Sequence, residues 1–207
     1  MADKLTDKQI ADLSALLAKH DASTDAKLHA VNAVKSGIKQ HNVPETSVPI
    51  LFDALRTASA SQHTVLTHAG FSSLNHLLTR LSRQEPKFIV KEAMRSMPVV
   101  IEKLGDPKEK LRAIAAQALT TMYAAAPIEV ERGVRNTAMS GKNPRAKEAS
   151  MNWLMVMHRD HGLQFRAYVP LLMELLEDAD GMVRDVAKTT VIELFKWVTE
   201  PLTLDIS

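Results

Sequence analysis

Apolar residues recur at three- and four-residue spacing from one end of the 207-residue sequence to the other, broken only by short polar segments that often hold Pro, Asp or Gly. Such a pattern buries its apolar stripes only when helices pack side by side. It predicts ten helices, over about 6–19, 25–41, 46–57, 63–81, 86–104, 109–124, 127–139, 145–159, 164–176 and 181–198. Aromatic residues are only 4% of the chain, so Leu, Ala, Val, Ile and the 10 Met must fill the interior. That diet, with 7 Gly, favours helices over sheets.

The ten helices fall into five pairs, and the pairs repeat. In the segment 97–123, Pro98 is followed by Asp106, Leu111 and Arg112; in 169–195, Pro170, Asp178, Val183 and Arg184 stand at the same offsets. A proline early in the first helix, an aspartate at the turn and an apolar-basic pair opening the second helix form the HEAT-repeat pattern. The other pairs fit when the basic position is read as Lys27, Thr67, Arg112, Lys147 and Arg184, in steps of 40, 45, 35 and 37. Three residues later come Ala30, Gly70, Ala115, Ser150 and Ala187, all small; seven later come Val34, Leu74, Leu119, Leu154 and Val191, all aliphatic. Offsets of three and seven share one helical face, where a small residue admits a neighbouring helix and an aliphatic one fills the gap.

One helix pair cannot bury its apolar face alone, so the pairs must stack. The expected fold class is therefore all-α: a HEAT-repeat α-solenoid of five helix pairs over 5–198, with a short C-terminal tail at 199–207. The last helix is expected to close on Phe195, Trp197 and Val198 and to stop before Pro201. Its exposed end is either covered by the tail or continued in a longer native chain.

Composition removes several function classes. The absence of cysteine excludes a disulfide framework and thiolate metal sites, and is compatible with a reducing compartment. The N-terminus is polar and charged, unlike a secretory signal, and no apolar run approaches the ~20 residues that span a bilayer. A soluble intracellular protein without a membrane partner is expected. His158 and His161 share a helix end with no third ligand placed beside them, and read as basic residues at the C-terminal dipole. Ser140-Gly141-Lys142 lacks the upstream glycine and following hydroxyl of a phosphate loop. No catalytic constellation or cofactor is expected.

The informative residues lie in the turns inside each pair, at 21–24, 59–62, 105–108, 140–144 and 178–180, which a HEAT stack brings to one edge. Lys27, then Lys108, Lys110 and Arg112, then Lys142, Arg145 and Lys147, then Arg184 and Lys188 cluster around them. The row is a candidate contact surface for an acidic protein. Its densest part is Gly141-Lys142-Asn143-Pro144-Arg145-Ala146-Lys147, a proline-stiffened loop that loses little entropy on docking. Arg112 and Arg184 are expected first to pair with a turn aspartate of a neighbouring repeat, Asp106 or Asp178, with contact to the partner as the alternative. Net charge is only +2, no basic helix suits a groove, and aromatics do not interleave with the cations, so nucleic acid is disfavoured.

Several strings carry a family likeness: Ser36-Gly37-Ile38-Lys39-Gln40-His41-Asn42-Val43-Pro44-Glu45, Ala60-Ser61-Gln62-His63, Gly141-Lys142-Asn143-Pro144-Arg145-Ala146-Lys147-Glu148, His161-Gly162-Leu163-Gln164-Phe165-Arg166-Ala167-Tyr168-Val169-Pro170, and Leu176-Glu177-Asp178-Ala179-Asp180 with Val183-Arg184-Asp185. Over about residues 5–198 the sequence resembles the N-terminal region of fungal CLASP proteins. The resemblance implies a TOG domain, a paddle of HEAT repeats whose intra-repeat loops face tubulin, in a family that promotes microtubule rescue, suppresses catastrophe and acts at spindles and kinetochores. It implies tubulin or microtubules as partner, with kinetochore or plus-end proteins beside them, and a place on the cytoplasmic cytoskeleton. Carried over by position, Lys108, Lys110, Lys142, Arg145, Lys147 and Arg184 would make the contact. Two features depart from the family pattern. The first loop is Asp21-Ala22-Ser23-Thr24, where tubulin-competent TOG domains commonly show a large aromatic, and there are five pairs where six are usual. The alternative is an adaptor of the same fold for a kinetochore or other cytoskeletal protein.

Overall fold

Ten α-helices form where the periodicity places them. In the computed structural model, which describes residues 4–199, they are α1 (Asp7–Ala18), α2 (Thr24–Gln40), α3 (Val48–Ser59), α4 (Thr64–Gln84), α5 (Lys87–Leu104), α6 (Glu109–Tyr123), α7 (Pro127–Gly133), α8 (Pro144–His161), α9 (Val169–Leu175) and α10 (Gly181–Thr199). Several helix ends are chemically marked. Thr6 Oγ1 accepts from the Gln9 amide while the Gln9 side chain accepts from the Thr6 amide, a reciprocal cap on α1. Ser23 and Asn143 cap α2 and α8, and proline occupies the first turn of α3, α7, α8 and α9. Gly162 takes the left-handed conformation, φ 66°, that ends α8.

Three details depart from the sequence reading. α3 and α9 are entered through 3-10 turns, Glu45–Ser47 and Phe165–Tyr168, so the spans expected from 46 and 164 do not begin as α-helix. The span expected over 127–139 is α-helical only to Gly133 and continues as a wide π-helical turn, Val134–Met139. Pro98, expected early in its helix, lies inside α5, because that helix starts at Lys87; Pro170 is in the first turn of α9. The two prolines thus share their distance to the following turn, not to the helix start.

The helices stack as two layers. α1, α3, α5 and α7 pack in series as one, and α2, α4, α6, α8 and α10 as the other, with α9 against α10. The repeat positions do what their sizes dictate: Gly70, Ala115, Ser150 and Ala187 are buried, as are Val34, Leu74, Leu119 and Leu154. Polar clamps fix the stacking from one pair to the next. In the second layer, Arg80 donates to the carbonyls of Ile38 (2.9 Å) and Lys39 (2.6 Å) at the end of α2. Asn75 donates to Gln117 at 3.1 Å, and Trp153 Nε1 to Thr120 Oγ1 at 3.1 Å. In the first layer, Arg56 donates to Glu92 at 2.8 Å and Arg95 to Asp53 at 2.7 Å. Apolar ridges alone tolerate sliding; donors with fixed acceptors do not.

At the C-terminal end Phe165 meets His158 edge-on at 4.9 Å between ring centroids and Phe195 at 5.5 Å, joining α8, the 3-10 turn and α10. The side chains of Trp197 and Val198, and residues 200–207 with Pro201 and the rest of the expected tail, lie outside the described residues.

Candidate functional site

The turns interlock. Asn143, capping α8 through Oδ1 on the amides of Arg145 (3.0 Å) and Ala146 (3.3 Å), also donates from Nδ2 to the Gly105 carbonyl at 3.2 Å, tying the fourth turn to the third. Lys147 Nζ donates to Asp178 Oδ2 at 2.5 Å, tying the fourth pair to the fifth turn. Lys108 Nζ lies 3.3 Å from His68 Nε2, beside the start of α4. The starts of α4, α6, α8 and α10 thereby form a continuous rim. Of the predicted contact residues, Lys108, Lys110, Arg112, Lys142, Asn143, Arg145, Lys147 and Arg184 all lie along it, but they divide by what their side chains already hold.

Arg112 and Arg184 do not pair with an aspartate of a neighbouring repeat. Arg112 donates to the Asp106 and Pro107 carbonyls of its own turn, both at 2.9 Å, and Arg184 to those of Asp178 (2.7 Å) and Ala179 (3.0 Å). Lys27 and Thr67 close their own turns likewise, through the carbonyls of Lys19 and Ser61, each at 2.6 Å. The physical reason is that the carbonyls of the turn residues, beyond the end of the preceding helix, have no ladder donor; a cation or hydroxyl one helical turn into the next helix reaches them. Lys147 is the exception and forms the one inter-repeat rung of this kind among the described residues.

Lys147 and Asp178 are 16% and 13% exposed. The hydrogen bond from Lys147, and after it the Asp180 amide, holds the Asp178 carboxyl below its ordinary 3.8. A depressed carboxylate contributes stability that is complete at neutral pH and lost as pH falls through the folded value. Asp178→Asn should therefore cost about 1–3 kcal/mol at neutral pH. The variant's stability should fall less steeply below about pH 4 than that of the unmodified chain, as urea titrations at neutral pH and near pH 3 will report.

Lys110, Lys142 and Arg145 are exposed, and their side chains make no hydrogen bond or ion pair among the described residues. Lys108 occupies the cap position of α6, where Ser, Asp or Asn stabilises, and Lys110 and Arg145 lie in first turns. Cations there face the positive end of the helix dipole, which is unfavourable. A local rule broken in two adjacent repeats concentrates positive potential on the rim.

The repeat register exposes residues that a search for charge passed over. Two residues before each basic position stand Asp25, Val65, Lys110, Arg145 and Met182, all exposed, with Val65 at 56% and Met182 at 61%. Met182 and Arg145 also line a depression with Arg112, Pro144, Glu148 and Asp180. The signal was present in the sequence as a column of the repeat. His158, by contrast, is engaged at its helix end, with Nδ1 2.9 Å from the Leu163 carbonyl oxygen.

Solved structures share this architecture. The MAST/Orbit N-terminal domain superposes with a TM-score of 0.80 at 20% identity, covering 97% of this chain and 87% of that one. A structure described under TOG–tubulin binding specificity in microtubule dynamics and mitotic spindle formation gives 0.74 at 15% identity, covering 95% and 80%. Stacked helix pairs, with the starts of α4, α6, α8 and α10 on one rim, place the chain in the TOG class of HEAT-repeat folds. Sequence narrows this further: the model of the CLASP N-terminal family matches residues 6–201, and the chain belongs to that family. Protein stu-1 of Neurospora crassa is 66% identical over 196 residues, and Protein STU1 of Chaetomium globosum 60% over 206. These matches cover 95% and 100% of this chain, which spans only 17% and 18% of those relatives' lengths.

Proposed function

We propose that this chain is a non-catalytic tubulin- or microtubule-binding module that contacts its partner through the loop edge. The observation that carries the reading is the row Val65, Lys110, Arg145 and Met182: one position of four successive repeats, exposed in each, with two cations flanked by apolar side chains. Cations at repeat spacing steer an acidic partner and fix its register, and apolar side chains beside them supply area that excludes water. The neighbour described by TOG–tubulin binding has the same fold, which supports the choice of partner. Because the relatives are several times longer, a weak single module gains strength by avidity in its parent chain. The same reading places the protein on cytoplasmic and spindle microtubules.

Titration of the purified chain against tubulin dimers and polymer at two salt concentrations tests this. Binding should weaken markedly as the screening length contracts to about 8 Å at physiological salt. Salt-independent binding would remove the edge from consideration.

A second reading, an adaptor for a kinetochore or other cytoskeletal protein, is favoured by one end of the rim. The first turn offers Asp21, Ala22 and Ser23, and its edge position is Asp25, so no large apolar side chain stands there. Under this reading a pull-down recovers such a protein and no tubulin.

A further inference from the structure

From the loop edge along α2 and α4, the second-helix layer carries a band of positive charge that its own carboxylates leave uncompensated. α4 has no Asp or Glu in its 21 residues. His68, Ser72, His76, Thr79 and Arg83 follow one another along it at three- and four-residue spacing, which is one helical face. α2 contributes Lys35 and Lys39 beside that face. Two depressions lie along it: one between Lys35, His68, Ser72 and Lys110 with an apolar floor of Ala69 and Ile114, the other between Lys39, His76, Thr79 and Arg83 over Ile38.

In the first-helix layer and at the fifth turn cations find carboxylates: Arg56 and Arg95 share Asp53 and Glu92, and Lys147 holds Asp178. Lys35, Lys39 and Arg83 form no ion pair among the described residues. The crowding registers on the groups themselves. Partial burial, then Lys39 and Lys110, hold the Lys35 ammonium below its ordinary range. Burial, then Lys35 and Lys39, do the same to His76. His68 is lowered by burial and by Lys108, Lys103 and Lys110, with Asp106 opposing. Like charges held together without a counter-ion on a partly apolar floor are disfavoured unless something anionic relieves them.

We propose that this band is a second binding surface, which adjoins the loop edge at Lys108 and Lys110 and runs away from it along α4, and that it takes an extended acidic peptide segment of a partner protein. From His68 to Arg83 the helix rises about 22 Å, the length of about seven extended residues. Carboxylates along the segment meet Lys35, Lys39 and Arg83, the Ser72 and Thr79 hydroxyls lie between them, and the apolar floor accepts the segment's methylenes. A peptide fits better than single-stranded nucleic acid because the band contains no Phe, Tyr or Trp on which a base could stack.

The test is fluorescence anisotropy of a labelled glutamate-rich peptide of about eight residues against the full 207-residue chain. The triple variant Lys35→Glu, Lys39→Glu, Arg83→Glu should bind at least about tenfold more weakly. The edge variant Lys142→Glu, Arg145→Glu should stay within about twofold of the unmodified chain, which separates this surface from the edge. Binding should strengthen as pH falls from about 7.5 to about 6, because His68 and His76 are neutral at the upper value and gain protons beside an anion. His68→Gln, His76→Gln should flatten that dependence. If charge reversal at 35, 39 and 83 proves to unfold the chain, the neutral triple Lys35→Gln, Lys39→Gln, Arg83→Gln must show the loss instead. Unchanged binding by a folded triple variant overturns the proposal. So does loss of binding by the edge variant, or displacement of the peptide by oligouridylate of equal charge as readily as by unlabelled peptide.

Discussion

Converting Lys110, Lys142 and Arg145 together to glutamate should abolish sedimentation of the chain with microtubules at physiological salt while leaving its melting temperature unchanged or slightly raised. Each reversal removes an attraction and adds a repulsion to an acidic partner. At roughly 1 kcal/mol apiece the three weaken binding about a hundredfold. The opposite sign for stability follows from position. Lys110 and Arg145 lie in the first turns of α6 and α8, where an acidic side chain interacts favourably with the helix dipole and a basic one does not. Lys147 is left out of the set because its ammonium ties the fourth pair to Asp178, so its reversal would disturb the stack as well as the surface. Co-sedimentation at two salt concentrations with a parallel thermal melt reads both effects. A variant that melts normally and still pellets with microtubules means the edge is not the contact.

Gly70→Ala should lower stability by about 1–3 kcal/mol, whereas Gly37→Ala should be close to neutral. Both glycines are inside helices, and alanine at either gains about 1 kcal/mol of helix propensity. They differ in what a new methyl would meet. At Gly70 a Cβ would lie 2.7 Å from the backbone of Ala58 and Ser59, the last turn of α3, which moves only if α3 and α4 separate. At Gly37 it would meet the Leu5 side chain, 2.6 Å from Cγ and 2.8 Å from one Cδ, so relief requires only that one side chain to shift and no helix backbone to move. For a chain of this size the Gly70 change should lower the melting temperature by about 2–12 °C. Equal effects at the two positions, measured by calorimetry, would show that propensity and not helix approach governs the small position of the repeat.

The column containing Gly70 was legible because it obeys a constant offset: Ala30, Gly70, Ala115, Ser150 and Ala187 each follow the basic position by three residues. Helix positions and pairing were legible for the same reason, since burial imposes its period on the residues. The 3-10 entries to α3 and α9 and the π turn after Gly133 were not, because local hydrogen-bond pattern depends on how neighbouring helices crowd a turn. At the rim, cations could be counted but not sorted. Arg112 and Arg145 look equivalent as letters, yet one is committed to two carbonyls of its own turn and the other stands free in solvent.

The sequence by itself determined that this chain is a row of helix pairs, which families it resembles, and that its positive charge gathers near the turns. These properties repeat along the chain and need no knowledge of distance. Only the tertiary structure decided which cations are available, that Val65 and Met182 flank them, and that Lys35, Lys39 and Arg83 converge on an α4 face without a carboxylate. Availability depends on which donors and acceptors come within about 3 Å of each other, and residues about forty positions apart in the chain meet at that range only after the pairs have stacked.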